Sequence, residues 1–450
     1  MSKYQTYKEY KDSGVEWLGE IPRHWDLYSL KRSIDRCTNG FWGGEPEGKN
    51  DLCVLRVADF NRDNFTVNEG KLTLRSILPK EAESRLLKKG DLLIEKSGGG
   101  EKTLVGCVVL FDKDFPAITS NFVAKMTPNI NMDSKYLTFA FSHLYSGRIN
   151  FPSIKQTTGI QNLDSEAYLM EKFGFPSKTE QTQIANFLDH ETAKIDTLID
   201  NQKKLIALLK EKRQAVISHA VTKGLNPHVP MKDSGVEWLG DVPEGWVVTR
   251  AKFVSDVFIP QRNKPELNDM EGTPWITMED MKLPYINIAT KFVSDVAASQ
   301  AGSKTLKKGA VIASCVGNFG ITSINNFDVI INQQLQAFRP TKIKAEYLQY
   351  IVAISKQYFE LIGTAATLVY VNQEGFQNLP ILLPSSDEQN EICRKIGIEE
   401  QKFDLLIKKG NDQVELFSER RTALISAAVT GKIDVRNWQN PNDAKTELSA

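Results

Sequence analysis

The sequence predicts an α+β fold: two mixed α/β domains and two long helices, written as a tandem repeat that makes a pseudo-two-fold particle. Three observations predict it. A segment at the start recurs near the middle, a capped and proline-free helical stretch occurs twice, and the two inserts between them carry short β-prone runs while differing in sequence.

The 450 residues are about three times the length of a typical single domain, so two or three cores are expected. Hydrophobic residues at 41% and charged residues at 25% exclude wholesale disorder. No window approaches the length of apolar chain that a membrane span requires, and the polar start MSKYQTYKEYKD lacks the core of a signal peptide. A soluble, cytoplasmic protein is expected. Cys37, Cys53, Cys107, Cys315 and Cys393 are odd in number and far apart, which gives neither a disulfide framework nor zinc-ligand spacing. Lys+Arg and Asp+Glu balance at 56 each. A chain that coats nucleic acid alone is usually basic, so any DNA contact must use local charge or a partner.

The repeats set the architecture. KDSGVEWLGEIPRHW, Lys11 to Trp25, returns as KDSGVEWLGDVPEGW, Lys232 to Trp246, at an offset of 221. PSKTEQTQI, Pro176 to Ile184, returns as PSSDEQNEI from Pro384, at an offset of 208. At that second offset EKRQAVISHAVTKG from Glu211 returns as ERRTALISAAVTGK from Glu419. A constant head, a divergent insert and a constant tail are written twice. The segments are a head at 1–25, a first domain at 26–178, a helix at 179–224, a linker and second head at 225–246, a second domain at 247–386, a helix at 387–432 and a polar tail at 433–450.

Each tail reads as one long helix. Ser177 with Glu180, and Ser385 with Glu388, form capping-box pairs just after a proline. Apolar residues follow at 3–4 spacing: Ile195, Leu198, Leu205, Leu209 and Val216 in the first copy, Phe403, Leu406, Phe417 and Leu424 in the second. Such a stripe suits packing on another helix and docking of partners. Gln202, Lys212 and His219 interrupt it in copy one, and Gly410, Gln413 and Arg420 in copy two. Each is read as one helix, and His190 marks the point where a break is allowed.

The inserts read as mixed α/β domains. Runs such as CVLRVADF (53–60), DLLIEKS (91–97), LVGCVVLF (104–111) and FVAKMTP (122–128) alternate with turn residues, as do PWITMED (274–280), AVIASCVG (310–317), GITSINNF (320–327) and LQAFRPT (335–341). Helices are expected around Ser134–Ser146 and Ala345–Ile362. Leu87 to Gly90 and Leu306 to Gly309 each precede a strand, so the inserts share a fold.

Catalytic motifs are absent. SGGGEKT, Ser97 to Thr103, lacks phosphate-loop spacing and reads as a turn; no metalloprotease, nucleophile-elbow or dinucleotide motif occurs. Glu9 with Lys11, and Glu400 with Lys402, resemble the carboxylate–lysine element of some nucleases but have no partner aspartate on a strand, so they read as solvated charge. Asn226-Pro227 and Asn440-Pro441 do not continue into the amino-methyltransferase motif. No bound cofactor or metal is expected.

Polar clusters in the inserts are the candidates for reading DNA. In copy one they are Asn39 to Gly44 with Trp42, Lys96 to Lys102 with Ser97, and Lys155 to Asn162 with Gln156 and Thr157. In copy two they are Gln261, Arg262 and Lys264; Asn318; Gln333; and Thr364 to Asn372 with Tyr370. Gln, Asn, Arg and Lys pair with base edges, and glycine lets backbone approach phosphate. The run Lys203, Lys204, Lys210, Lys212 and Arg213 reads as a solvated helix face.

With the doubled D-S-G-V-E-W-L-G heads, the P-x-x-x-E-Q-x-x-I starts and the I-S-x-A-V-T ends in this order, the chain resembles the specificity subunit of type I restriction–modification systems over essentially its whole length. The resemblance implies two target recognition domains, each reading half of a split double-stranded DNA site, separated by two long antiparallel helices. It implies two modification subunits that supply S-adenosylmethionine and methylate adenines flipped from the duplex, and restriction/translocase subunits using ATP and Mg. A non-catalytic recognition subunit is thus expected. A self-sufficient methyltransferase would need a catalytic motif, and a pure coiled-coil scaffold would leave the divergence of the inserts without a reason.

Overall fold

The computed structural model describes residues 4–99, 103–157, 159–363 and 369–441. It divides into two compact units, Met1–Gln202 with Asp412–Ala450, and Lys203–Asn411. Four helices carry the architecture: α1 (Ser134–Ser146), α2 (Lys178–Lys223), α3 (Ala345–Ile354) and α4 (Ser386–Val429).

Helices α2 and α4 run unbroken for 46 and 44 residues. Each is the single long helix expected, and the break allowed near His190 does not occur. No Pro or Gly interrupts this stretch, and Thr192 satisfies its hydroxyl within the helix by donating to the Leu188 carbonyl at 2.7 Å. The Ser half of each capping box forms, with Ser177 and Ser385 accepting from the N–H of Glu180 and Glu388 at 3.4 and 3.3 Å. The Glu half does not. Glu180 instead accepts from Tyr7 Oη at 2.8 Å and Trp25 Nε1 at 3.1 Å, with His24 Nε2 at 2.9 Å.

In each unit the two helices lie antiparallel. In the first unit Asp196 meets Arg421 while Gln183 meets the carbonyl of Trp438. In the second Arg213 meets Asp404, while Gly224 faces Glu388. The buried positions of α2 follow a strict 3–4 spacing: Ile195, Ile199, Gln202, Ile206, Leu209, Arg213 and Ile217 are buried or half-buried. Those of α4 match them, with Phe403, Ile407, Gly410, Val414, Phe417, Arg421 and Ile425.

This corrects part of the expected stripe. Ile195 and Phe403 are buried and Leu209, Val216, Phe417 and Leu424 half-buried, but Leu198, Leu205 and Leu406 are 46%, 48% and 48% exposed. Each of these leucines precedes an isoleucine, and only Ile199, Ile206 and Ile407 keep the 3–4 phase. Among the expected interruptions Gln202 and Gly410 are in the seam, whereas Lys212, His219, Gln413 and Arg420 face outward. Arg213 and Arg421 take the polar seam positions.

The first unit is built on an antiparallel sheet of β1 (Ile34–Asn39), β2 (Leu92–Glu95), β3 (Val108–Leu110) and β4 (Val123–Pro128), in the order β3-β2-β4-β1. Leu92, Ile94, Ala124 and Met126 pack on Tyr136, Leu137 and Phe141 of α1 and on Ala428 and Val429 of α4. Two further strands of this unit, β5 (Ile154–Thr157) and β6 (Ile160–Leu163), form an antiparallel hairpin. The second unit repeats the order of the first sheet with β7 (Ser255–Phe258), β8 (Val311–Ser314), β9 (Thr322–Asn325) and β10 (Leu335–Pro340), to which Tyr285–Ile286 adds a parallel edge. Val311, Ala313 and Phe338 pack on Tyr347, Leu348 and Ile351 of α3 and on Ala220 and Val221 of α2.

Constant residues hold each insert to its frame. Gln181 donates to the Pro176 carbonyl at 2.9 Å and accepts from the Asp133 N–H, at the start of α1, at 3.0 Å. Gln389 does the same between Pro384 and Lys344, at the start of α3, at 3.0 and 2.9 Å. Trp25 and Trp246 are buried and donate to Glu180 and Glu388.

Candidate nucleic-acid interface

In the first unit three clusters that are distant in sequence meet. Ser97–Gly98 pairs with β6, so Ser97 lies opposite Asn162, whose side chain accepts from Ser97 Oγ at 2.7 Å. Lys96 Nζ donates to Asn39 Oδ1 at 2.7 Å at the end of β1. Lys155 and Gln156 stand exposed on β5, and Thr157 lies on the same strand. Lys96, Ser97, Asn39, Asn162 and the β5–β6 hairpin thus gather beyond the C-terminal ends of β1 and β2. Lys102 lies outside the described residues.

Trp42 is not a free aromatic tip. It is half-buried, with the Arg75 guanidinium 4.5 Å from its ring, while Arg85 lies 5.7 Å from Phe41 and donates to the Asn39 carbonyl at 3.1 Å. The backbone here admits little else: a Cβ on Gly40 would lie 2.1 Å from the Ser120 carbonyl oxygen, and one on Gly43, where φ is +73°, would lie 2.6 Å from Ser76 O. Arg75 and Arg85 had no local signature in the sequence, because only the fold carries them to Asn39–Gly44. Lys155 is paired with Asp164 at 2.9 Å, and this hydrogen bond holds the Asp164 carboxyl below its ordinary range.

Beneath the Ser97–Gly99 limb lies a buried polar shelf. Glu95 is fully buried, and burial pushes its carboxyl up while Arg62, 2.7 Å away, pulls it back. Arg62 also donates to Tyr145 Oη at 3.0 Å, Tyr145 donates to the Leu104 carbonyl at 2.8 Å, and Asn150 Nδ2 donates to the Val105 carbonyl at 2.7 Å. Polar partners thus pin the backbone at Leu104 and Val105.

In the second unit the clusters also converge, with different residues. The N–H of Cys315 donates to the Gln334 carbonyl at 2.9 Å, and the Val371 N–H donates to the Cys315 carbonyl at 2.9 Å. Val316 bridges to Tyr370. This places exposed Asn318, half-buried Gln333 and exposed Tyr370 beyond the C-terminal end of β8, with Arg262 and Lys264 exposed on the segment that Gln333 touches through the Gln261 carbonyl at 3.4 Å. Two expectations change. Gln261 is 5% exposed and its side chain turns inward to accept from the Lys304 N–H. Asn372 spends its side-chain oxygen on capping the helix Gln373–Gln377, accepting from the Gly375 N–H at 3.0 Å. Thr364 lies outside the described residues.

Burial pushes the thiols of Cys53, Cys315 and Cys393 up to about 11 and that of Cys107 to about 12. Among the described residues no group of three or more His, Cys, Asp or Glu side chains could hold a metal ion, and no helix is long and apolar enough to cross a membrane.

Comparison with known proteins places this arrangement. The chain is similar to the type I restriction enzyme MjaVIII specificity subunit of Methanocaldococcus jannaschii, 24% identical over 84% of this chain and 85% of that protein. It is 23% identical to the type I restriction enzyme EcoBI specificity subunit of Escherichia coli, over 100% of this chain and 95% of that one. A solved chain from a study of complex assembly and conformational transition of the type I R-M system shares the fold at TM-score 0.69, with 16% identity, over 91% of this chain and 98% of that one. The HsdS subunit from Thermoanaerobacter tengcongensis does so at TM-score 0.50, with 16% identity, over 92% and 98%. The type I restriction modification DNA specificity domain matches twice, at residues 52–210 and 243–416, well over half of the chain. The chain therefore belongs to the family of type I restriction–modification DNA specificity subunits.

Proposed function

We propose that each unit presents the polar cluster at its strand ends to DNA and reads one half of a split, asymmetric site, while the paired helices set the unread spacer. One observation carries this reading. Two sheets of the same strand order, each seated on its frame by the same glutamine and tryptophan bonds, present different polar side chains: Asn39, Lys96, Ser97 and Asn162 in one, Arg262, Asn318, Gln333 and Tyr370 in the other. A constant frame with unlike reading clusters suits two unlike half-sites.

The chain itself transfers no methyl group and cuts no bond in this reading. Two modification subunits dock on the conserved helices and supply S-adenosylmethionine and the adenine-methylating site, restriction subunits add ATP- and Mg-dependent translocation and cleavage, and the assembly works in the cytoplasm. The raised thiol pKa values and the absence of a nucleophile or phosphate-loop motif support a purely recognising role. Incubating the purified chain with S-adenosylmethionine and DNA, alone and with its modification partner, tests this. Methylation is expected only with the partner, and turnover by the chain alone would identify a self-sufficient methyltransferase.

A further inference from the structure

We propose that a duplicated ion pair, Arg213 with Asp404 and Arg421 with Asp196, fixes where each recognition domain is held along the helix pair and thereby selects the length of the unread spacer. The inference rests on the reading of the chain as a split-site DNA reader.

Arg213 and Arg421 stand 208 residues apart, as do Asp196 and Asp404, so each repeat carries one arginine and one aspartate. Each arginine takes its aspartate from the other repeat. In the second unit Arg213 Nη1 donates to Asp404 at 2.8 Å and its Nη2 to Glu400 at 2.7 Å. In the first, Arg421 Nη2 donates to Asp196 at 3.3 Å and its Nε lies 2.8 Å from the other oxygen. The same inter-helix pair is therefore made twice, in separate units.

Each arginine also reaches the recognition domain beside it. Glu400, held by Arg213, accepts from Tyr350 Oη of α3 at 2.8 Å. The Arg421 guanidinium lies 5.4 Å from the ring of Phe65, a buried residue of the first insert. Arg421 directly, and Arg213 through Glu400, thus add a polar link between helix pair and domain in both units.

Apolar knobs at 3–4 spacing do not distinguish a register from one seven residues away, a shift of about 10 Å, or about three base pairs. A polar residue at a single seam position does distinguish them. One such shift would set Arg213 against Asn411 and Arg421 against Lys203, replacing both attractions by a loss and a repulsion. The opposite shift would set Arg213 against Gly397 and Arg421 against Asp189, so one of the two attractions is lost there and the other kept. The arginines therefore supply what the isoleucines of the seam cannot.

The test uses the full chain assembled with its modification partner and duplexes carrying the native half-sites at spacers from one to about three base pairs shorter or longer than native, the last being the step of one seven-residue register shift. Replacing both arginines (R213M/R421M) leaves no carboxylate buried alone, because Asp404 and Asp196 are 63% and 41% exposed and Glu400 keeps Tyr350. The wild type should prefer its native spacer by at least about tenfold in methylation rate, the scale of one wrong base pair. The double variant should methylate spacers about three base pairs from native within about twofold of native while both half-sites stay unchanged, and the swapped pair R421D/D196R should restore discrimination in a chain that keeps Arg213. Undiminished spacer preference in the double variant would overturn the proposal. So would failure of the variants to fold, shown by loss of the cooperative thermal transition, since the pairs would then hold the fold rather than the register. A wild-type complex that methylates no split sequence would instead remove the reading on which the proposal rests.

Discussion

The indole N–H of Trp25 donates to the Glu180 carboxylate at 3.1 Å, and Trp246 makes the same bond to Glu388 at 2.9 Å. The bond joins the last residue of each repeated head to the first turn of the long helix that begins after each insert. It brings the chain on either side of an insert together, so an insert can vary without disturbing the frame.

The two copies differ in how heavily they use this carboxylate. Glu180 also accepts from buried Tyr7 and lies against His24, whereas Gly245 stands where the first copy has His24. Glu180→Ala strands two buried donors at about 1–3 kcal/mol each, and Glu388→Ala strands one. Urea unfolding should therefore show a larger loss for the first variant than for the second. Equal losses would mean that Tyr7 and His24 add nothing.

Gln181 and Gln389 each donate to a proline carbonyl and accept from the N–H that opens the insert helix. Gln→Glu at either position keeps the acceptor and removes the donor with almost no change in shape. A loss of about 1–3 kcal/mol is expected, confined to the unit that carries the change. Hydrogen exchange at the N-termini of α1 and α3 reads this out separately for the two units.

The buried Arg62–Glu95 pair should make stability depend on pH in one direction. Burial raises the Glu95 carboxyl above its ordinary 4.5 and Arg62 opposes the rise, so Arg62→Met lifts it further. A carboxyl whose folded pKa is raised favours the folded state at low pH, and that contribution is lost as pH rises through the folded value. R62M should be destabilised by about 3–5 kcal/mol at pH 8 and by clearly less at pH 5. A deficit equal at both pH values would show that Glu95 is not the titrating group.

Each unit has its own sheet and core, and the residues that seat the insert on its frame are the same in both. Replacing 247–383 by the insert of a related subunit should change one half of the methylated sequence and leave the other as it was. Genome-wide methylation mapping of the hybrid decides this. A change in both halves would show that the domains do not read independently.

Repeats, helices and strands were legible because each rests on local signals: an exact echo, a proline-serine cap, and runs of Val, Ile and Leu between turns. The seam was legible in period but not in phase. Leu198–Ile199 and Leu205–Ile206 offer two stripes one residue apart, and only packing on the other helix chooses the isoleucines. Arg213 and Arg421 were hidden for the same reason, each next to a basic residue that the period fits nearly as well.

At the reading clusters the residue types were legible and their partnerships were not. Long-range pairing brings Ser97 to Asn162 and Lys96 to Asn39, and no spacing in the chain announces it. Gln261 and Asn372 have the side chains of base readers, yet local geometry turns one inward and spends the other's oxygen on a helix cap.

Methylation mapping of DNA from a restriction-negative host that expresses this chain with its modification partner tests the central claim most directly. The account predicts a single methylated sequence made of two unlike halves around an unread spacer of fixed length, and no such methylation when the chain is omitted. A contiguous or palindromic methylated site, or the same site without this chain, would contradict it.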